Sequence, residues 1–75
     1  MFAFILHNIF DRDDQVLRAA EQAHLWSELV FLYDKYEEYD NAVVTMMSHP
    51  TDAWKEGQYK DIVTKVLLLI LNSYL

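Results

Sequence analysis

Hydrophobic residues recur at helical spacing through the middle of the chain. The first stripe consists of Trp26, Leu29, Val30 and Tyr33. Residues at this spacing lie on one face of a helix of 3.6 residues per turn. After a turn of charged and polar residues, the same spacing returns between Tyr39 and Met47. The pattern predicts two antiparallel helices, over about residues 25–37 and 40–48, whose apolar faces pack together.

The contact between these two helices is expected to form one layer of side chains. Its members are Trp26, Leu29, Tyr33, Ala42 and Met46. Ala42 is small, and opposite a large aromatic ring it lets the two helices approach closely and interdigitate. Because such a hairpin leaves an outer apolar face, the layer predicts one unit of a larger stack.

Signals for helix boundaries flank the hairpin. Asp13 or Asp14 can cap an earlier helix, because a carboxylate accepts hydrogen bonds from the unpaired N–H groups of the first turn. Val16, Leu17, Ala20 and His24 give that helix an amphipathic stripe. Pro50 ends the second hairpin helix, since proline disfavours helix in the residue before it. Thr51 is predicted to cap a short turn over residues 52–54, and Gly57 to take a left-handed C-cap conformation.

The last segment has the strongest helical period in the chain. Its apolar residues keep helical spacing from Tyr59 to Tyr74, and Leu68 and Leu69 extend the apolar surface around the helix. A helix that is apolar on nearly all sides needs neighbours. The isolated chain is therefore expected to self-associate or to be marginally stable. The apolar start, Met1 to Phe10, shows no clean period and predicts at most one or two helical turns.

The composition indicates an all-α protein and limits its partners. The 75 residues include one Gly, one Pro and no Cys, too few for a series of tight β-turns or for a disulfide framework. The net charge of −6 argues against nucleic-acid binding, which needs clustered Lys and Arg. The apolar runs over residues 1–10 and 66–71 are far shorter than the ~20 residues that span a bilayer. Direct membrane insertion is therefore not expected.

One spacing in the chain is compatible with metal binding. Glu21 and His24 stand three residues apart, and Glu28 follows one turn later. Di-iron helical bundles use two such Glu-x-x-His pairs, whereas this chain has one, so no metal site is predicted. The sequence has no nucleophile elbow, no Gly-rich phosphate loop and no converging carboxylate pair. No catalytic residue and no cofactor-binding residue is predicted, and the chain is not expected to be an enzyme.

Two features have both a structural and a functional interpretation. The acidic run over residues 34–40 is typical of a solvated turn, and the alternative is a docking patch for a basic segment. The aromatic stripe consists of Trp26, Tyr33, Tyr36 and Tyr39. At helical spacing these rings favour a core position, and the alternative is a groove that binds a peptide. Solvent exposure of the rings distinguishes the two.

The order of residue types in the hairpin resembles that of tetratricopeptide-like helix hairpins. Residues 16–66 more closely resemble the leg of the clathrin heavy chain, with a nearly identical amino-acid sequence. The resemblance includes the runs LVFLYDKYEEYDNA and HPTDAWKEGQ, which helical patterning alone would not produce. It implies a short fragment of an α-solenoid, built from stacked antiparallel helix hairpins.

The same resemblance implies a mechanical function and a location. Clathrin-like scaffolds form a lattice on the cytoplasmic face of coated pits and coated vesicles, in endocytosis and intracellular transport. The implied partners are flanking heavy-chain repeats and other clathrin legs, with clathrin light chain as a further candidate. The resemblance carries over no catalytic residue, metal, cofactor or individual contact residue. The alternative function is a small helical-repeat adaptor that binds peptides or partner helices.

The ends of the chain depart from the clathrin pattern. Residues 1–15 are expected to be an extension unrelated to the family, residues 16–66 the repeat fragment, and residues 67–75 an apolar tail. Sharp departures at both borders are expected when one coding block is flanked by unrelated translated sequence, or when an isoform is truncated. Lattice formation by this chain alone is not expected.

Overall fold

The computed structural model describes residues 12–74, which form five helices. In chain order these are α1 (Asp14–Gln22), α2 (Trp26–Lys35), α3 (Tyr39–Ser48), α4 (Pro50–Ala53) and α5 (Glu56–Tyr74). Residues 12–74 contain no strand. The prediction of an all-α fold of packed helix hairpins is therefore confirmed. The helical turns predicted within Met1 to Phe10 lie outside the described residues.

α1 begins at one of the two predicted caps. Asp13 has an extended backbone, and its carboxylate accepts hydrogen bonds from the backbone N–H groups of Gln15 and Val16, at 3.0 and 3.2 Å. These N–H groups have no partner inside the helix, so such a cap contributes ~1 kcal/mol to stability. Asp14 is then the first residue of α1, where its negative charge also favours the positive end of the helix dipole.

The turn between α1 and α2 is closed by a characteristic pair of backbone hydrogen bonds. The N–H of Leu25 donates to the carbonyl of Ala20 at 2.9 Å, and the N–H of His24 donates to the carbonyl of Glu21 at 3.1 Å. This is the Schellman motif, which requires a left-handed residue just after the helix. His24 takes that conformation, with φ of 57°.

The turn between α2 and α3 has the same construction. The N–H of Glu38 donates to the carbonyl of Tyr33 at 2.8 Å, and the N–H of Glu37 donates to that of Asp34 at 3.0 Å. Glu37 is the left-handed residue, with φ of 60°. The repeated motif returns the chain sharply, so α2 and α3 form the predicted hairpin.

Two predicted boundary residues have other roles. Gly57 was predicted as a left-handed C-cap, but it lies in the first turn of α5 and its φ is not positive. Thr51 was predicted as a cap, but it lies inside α4, whose N-cap residue is His49. Pro50 is the first residue of α4, a position where a missing N–H costs nothing. The prediction that Pro50 stops the preceding helix is confirmed, because α3 ends at Ser48.

The core of the described residues consists of two clusters. The larger cluster joins α2, α3, α4 and α5 through Val30, Ala42, Met46, Ala53 and Ile62, all at most 1% exposed. The smaller cluster joins α1 to α2 through Leu17, Ala20 and Leu29. Half-buried Trp26 and Tyr33 pack against both clusters. The prediction of a single layer is wrong in this respect, because Leu29 belongs to the smaller cluster while Ala42 and Met46 belong to the larger one.

α5 packs against the hairpin along its first half only. Ile62 is fully buried, and half-buried Val66 packs against the larger cluster. From Leu67 to Tyr74 every residue is exposed. These eight residues continue α5 past its packed half by about 12 Å at 1.5 Å per residue. We refer to residues 67–74 as the α5 overhang.

Replacing Met46 by Ala should lower the free energy of unfolding by about 2–5 kcal/mol, because it leaves a cavity in the larger cluster. The matched control is Met47→Ala in the next position. Met47 is 58% exposed and Met46 is fully buried, so the control should change the unfolding free energy by less than about 0.5 kcal/mol. Urea denaturation followed by helical circular dichroism measures both. Equal losses would contradict the burial of Met46.

Replacing Glu37 by Gly should raise the free energy of unfolding by up to about 1 kcal/mol, because glycine adopts the left-handed conformation without steric cost. The same change at Glu28, an exposed position inside α2, should lower it by about 1 kcal/mol. Thermal denaturation of the two variants gives the comparison. Destabilisation by both substitutions would show that position 37 is not left-handed.

Candidate functional site

The structure does not bring the candidate metal ligands together. Glu21 lies in the last turn of α1, but α1 ends at Gln22 and His24 lies in the following left-handed turn. The helical spacing that would align the two side chains therefore does not hold. Within residues 12–74 no group of three His, Asp or Glu side chains is placed to hold a metal ion.

Two imidazole rings stack on the indole of Trp26. The His49 ring lies 3.6 Å from the Trp26 ring, centroid to centroid, with 6° between the planes. The His24 ring lies 5.4 Å from it at 13°. His24 follows α1, Trp26 begins α2 and His49 follows α3. The stack therefore links three helix ends and holds one end of the α2–α3 hairpin closed.

The acidic turn uses two of its carboxylates within the fold. Asp34 accepts a hydrogen bond from the Lys65 amine of α5 at 2.9 Å. Glu38 pairs with the Arg12 guanidinium and accepts a hydrogen bond from the Asn41 amide at 2.8 Å. Both carboxylates are largely shielded, with side chains 18% and 23% exposed. This placement supports the structural interpretation of the acidic run for these two residues.

Two other carboxylates of the run point outward. Glu37 and Asp40 are both exposed at the tip of the hairpin. The docking-patch interpretation is therefore reduced from the whole run to this pair of residues.

The folded environment raises the pKa of Lys65, Tyr33 and Tyr39. Hydrogen bonds to Asp34 and then to Asp61 raise the pKa of Lys65 above its ordinary value. Burial, with a smaller contribution from nearby carboxylates, raises the pKa of Tyr33 and of Tyr39. The Lys65 amine also lies 5.9 Å from the centre of the Tyr39 ring. All three groups therefore hold their protons more tightly in the folded chain.

An apolar groove of about 430 Å³ runs between α3 and α5. Its lining is almost entirely aliphatic and aromatic: Tyr39, Asp40, Val43, Val44, Tyr59, Ile62, Val63, Val66 and Leu67. The groove continues along the face of α5 that packs on the larger cluster, and it ends at Leu67, the first residue of the α5 overhang. Such a groove lacks the convergent polar groups that orient a small substrate. It suits the packing of another helix.

A smaller cleft of about 260 Å³ lies on the other side of α3. It is lined by Glu21, Trp26, Leu29, Tyr33, Asn41, Val44, Thr45, Ser48 and His49. Val44 is 60% exposed and borders both this cleft and the apolar groove. Its side chain therefore lies on the ridge that a neighbouring helix would cover.

The aromatic stripe is part of the core boundary. Trp26, Tyr33, Tyr36 and Tyr39 are half-buried and pack against one or both core clusters. A peptide-gripping groove would leave these rings free on one open face. The packing of these rings favours the interpretation, based on their helical spacing, that they belong to the core.

Other large apolar side chains are exposed around the hairpin. They include Phe31, Val44, Met47 and the five consecutive residues from Leu67 to Leu71, each between 47% and 60% exposed. No helix among residues 12–74 is long and apolar enough to cross a membrane.

Packed helix hairpins with an uncovered apolar groove define a helical-repeat protein. A family model described as "Clathrin: Region in Clathrin and VPS" matches residues 4–68. The chain therefore belongs to the clathrin heavy-chain repeat family. The match begins before residue 16 and ends after residue 66, and the division into 1–15, 16–66 and 67–75 stays a prediction.

Several clathrin heavy chains are similar to this chain. It is 88% identical over 52 residues to human clathrin heavy chain 2 and 81% identical over the same length to clathrin heavy chain of Drosophila melanogaster. It is 73% identical over 52 residues to probable clathrin heavy chain 1 of Caenorhabditis elegans. Each match covers 69% of this chain and 3% of the relative. The chain thus spans a small part of the length of these relatives.

Raising the pH above about 10 should weaken the fold. The unfolded chain releases protons from lysine and tyrosine at their ordinary pKa values of 10.5 and 10.0, whereas Lys65, Tyr33 and Tyr39 have raised pKa values when folded. Their contribution is complete below the unfolded values and is lost as the pH rises through the folded values. Urea denaturation at a series of pH values from about 9 to 12 measures the decline.

The substitution Lys65→Met measures how much Lys65 contributes to the pH dependence of the unfolding free energy. Because the Lys65 side chain is 39% exposed, its ion pairs should contribute at most about 1 kcal/mol. The difference in unfolding free energy between the wild-type chain and the variant should shrink as the pH passes the folded pKa of Lys65. A difference that stays constant over this range would contradict the ion-pair assignment.

Proposed function

We propose that this chain is a non-catalytic structural segment of a clathrin-like vesicle coat, acting in endocytosis and intracellular transport. Its 88% identity to human clathrin heavy chain 2 over 52 residues carries the proposal. At that identity nearly every core and surface position of the segment is shared with a coat protein. The place of action is the cytoplasmic face of coated pits and coated vesicles, and the partners are flanking heavy-chain repeats and other clathrin legs.

The packing of the hairpin supports a mechanical role. The larger cluster joins four helices through side chains at most 1% exposed, so bending one helix against another would disrupt close contacts. In a helical array each repeat is stabilised by its neighbours through such a continuous core. The apolar groove between α3 and α5 is the surface on which a neighbouring helix extends that core.

The alternative function is a small adaptor that binds peptides or partner helices. An adaptor of this kind needs aromatic side chains that are free to grip a ligand. Tyr33, Tyr36 and Tyr39 instead pack against the core clusters. This observation favours the scaffold function over the adaptor.

Clathrin light chain is a further partner within the same proposal. The surface available to it at the hairpin tip is the exposed pair Glu37 and Asp40, since Asp34 and Glu38 are paired within the fold. Two carboxylates at a solvated turn would contribute little affinity by themselves. The heavy-chain contact through the apolar groove is therefore the principal interaction, and light-chain binding is the minor one.

The chain should sediment with clathrin cages assembled from purified heavy and light chains. Val44→Glu should reduce the bound fraction by about tenfold, since covering one aliphatic side chain contributes ~1.5–3 kcal/mol and tenfold corresponds to ~1.4 kcal/mol. Quantitative immunoblotting of pellet and supernatant measures the fraction. Cages built with and without light chain separate the two partners.

Met47→Glu is the matched control for this experiment. Met47 lies on the same helix and is 58% exposed, close to the 60% of Val44, but it lines neither the apolar groove nor the smaller cleft. Binding of this variant should equal that of the wild-type chain. A wild-type chain that stays in the supernatant with both kinds of cage would overturn the coat function. Equal loss for both variants would overturn the assignment of the groove.

A further inference from the structure

The α5 overhang carries a continuous run of exposed apolar residues. Leu67, Leu68, Leu69, Ile70 and Leu71 are each 47–58% exposed, and Tyr74 is 85% exposed. These side chains surround the helix, and Leu67, Ile70 and Tyr74 share one side of it. A run of exposed large apolar side chains without any charge indicates an interaction site.

The overhang differs from the rest of the chain in its charge and in its relation to the family. All charged residues of α5 lie in its first half, ending at Lys65, and residues 66–74 carry none. The match to the clathrin family ends at residue 68. Most of this surface therefore lies beyond the part of the chain that the family accounts for.

We propose that the α5 overhang is a homodimerisation surface, on which a second copy of this chain packs its own α5 in antiparallel orientation. The axis of the dimer passes near Ile70. This inference goes beyond the coat function and does not depend on it.

The antiparallel arrangement follows from the distribution of charge. With the two-fold axis at Ile70, residue 66 of one copy lies opposite residue 74 of the other. The overlap then contains the uncharged stretch of both helices, and each Lys65 stays outside it. Opposed helix dipoles also favour the antiparallel pair. A parallel pair would align the charged first halves of the two helices.

One face of α5 is continuous across the overlap. Val63, Val66, Leu67, Ile70 and Tyr74 fall at helical spacing on a single stripe. The first three of these line the apolar groove, so the stripe leads directly from the groove to the overhang. In the antiparallel overlap of residues 66–74, this stripe of one copy faces the same stripe of the other copy.

A second copy fits this surface better than a lipid surface does. Helices that lie on membranes carry Lys and Arg on their polar face. The last turn of α5 has no basic residue, and the chain has a net charge of −6, which disfavours binding to anionic lipid. The overhang is also only about 12 Å long, far short of a bilayer's ~30 Å hydrocarbon thickness.

Sedimentation equilibrium of the full chain over a range of concentrations tests the proposal. The mass should approach twice 8.9 kDa. Ile70→Lys, at the centre of the stripe, should raise the dimer dissociation constant at least tenfold, since the substitution occurs twice at the axis. Leu68→Lys is the matched control: it makes the same change on the opposite side of the same helix, and its effect should be under threefold. Circular dichroism verifies that both variants remain helical.

A cysteine pair tests the orientation, because the natural sequence contains no cysteine. In the antiparallel dimer Ile70→Cys should form an intermolecular disulfide, whereas Tyr74→Cys should not, since the two copies of position 74 lie about 12 Å apart along the axis. Equal cross-linking at both positions would indicate a parallel pair and contradict the proposal. A wild-type chain that stays monomeric at all concentrations, or that floats with phosphatidylcholine–phosphatidylserine vesicles as a monomer, would overturn it. Equal effects of the two lysine substitutions would also overturn it.

Discussion

The close approach of α3 to its neighbours is the contact on which the rest of this structure depends. Ala42 and Met46 are fully buried on one face of α3, between Val30 of α2 and Ile62 of α5 in the larger cluster. The alanine keeps the helices close enough for the longer side chains to interdigitate. Without this contact α5 would have no surface to pack on, and the groove beside it would not exist.

The same contact explains why so much apolar surface stays uncovered. A chain this short buries one face of each helix, and the opposite faces require neighbours. In a helical array those neighbours are supplied by the adjoining repeats. The exposed ridge at Val44 and the groove between α3 and α5 are such faces. The α5 overhang is different, because it extends past the packed half of α5 and past residue 68, where the family match ends.

Periodicity predicted the helices well and the turns poorly. The stripes around Trp26 and Tyr39 fixed α2 and α3 to within two residues of their ends, because apolar spacing reflects burial directly. The left-handed turn residues are His24 and Glu37, and sequence reasoning placed that conformation at Gly57, since it relies on glycine to mark such positions. At these two turns the backbone hydrogen bonds, and no glycine, select the conformation.

The sequence pattern also did not predict contacts between side chains that are far apart in the chain. His49 stacks on Trp26 from a position 23 residues away, and Lys65 binds Asp34 across 31 residues. Such pairs depend on how the helices cross, which spacing along one helix does not encode. An available signal was the excess of acids in the hairpin turn, which favours a basic partner. The candidate interaction surface was likewise anticipated only as an uncovered apolar face, without its groove.

The central claim is that α2, α3 and α5 share one core around Met46, and a nuclear Overhauser experiment tests it most directly. With methyl-labelled Met, Val and Ile in the full chain, the Met46 methyl should show cross-peaks to methyl groups of both Val30 and Ile62. The exposed Met47 methyl should show neither. Cross-peaks from Met46 to Val30 alone, with α5 resonances lacking contacts to the hairpin, would contradict the shared core.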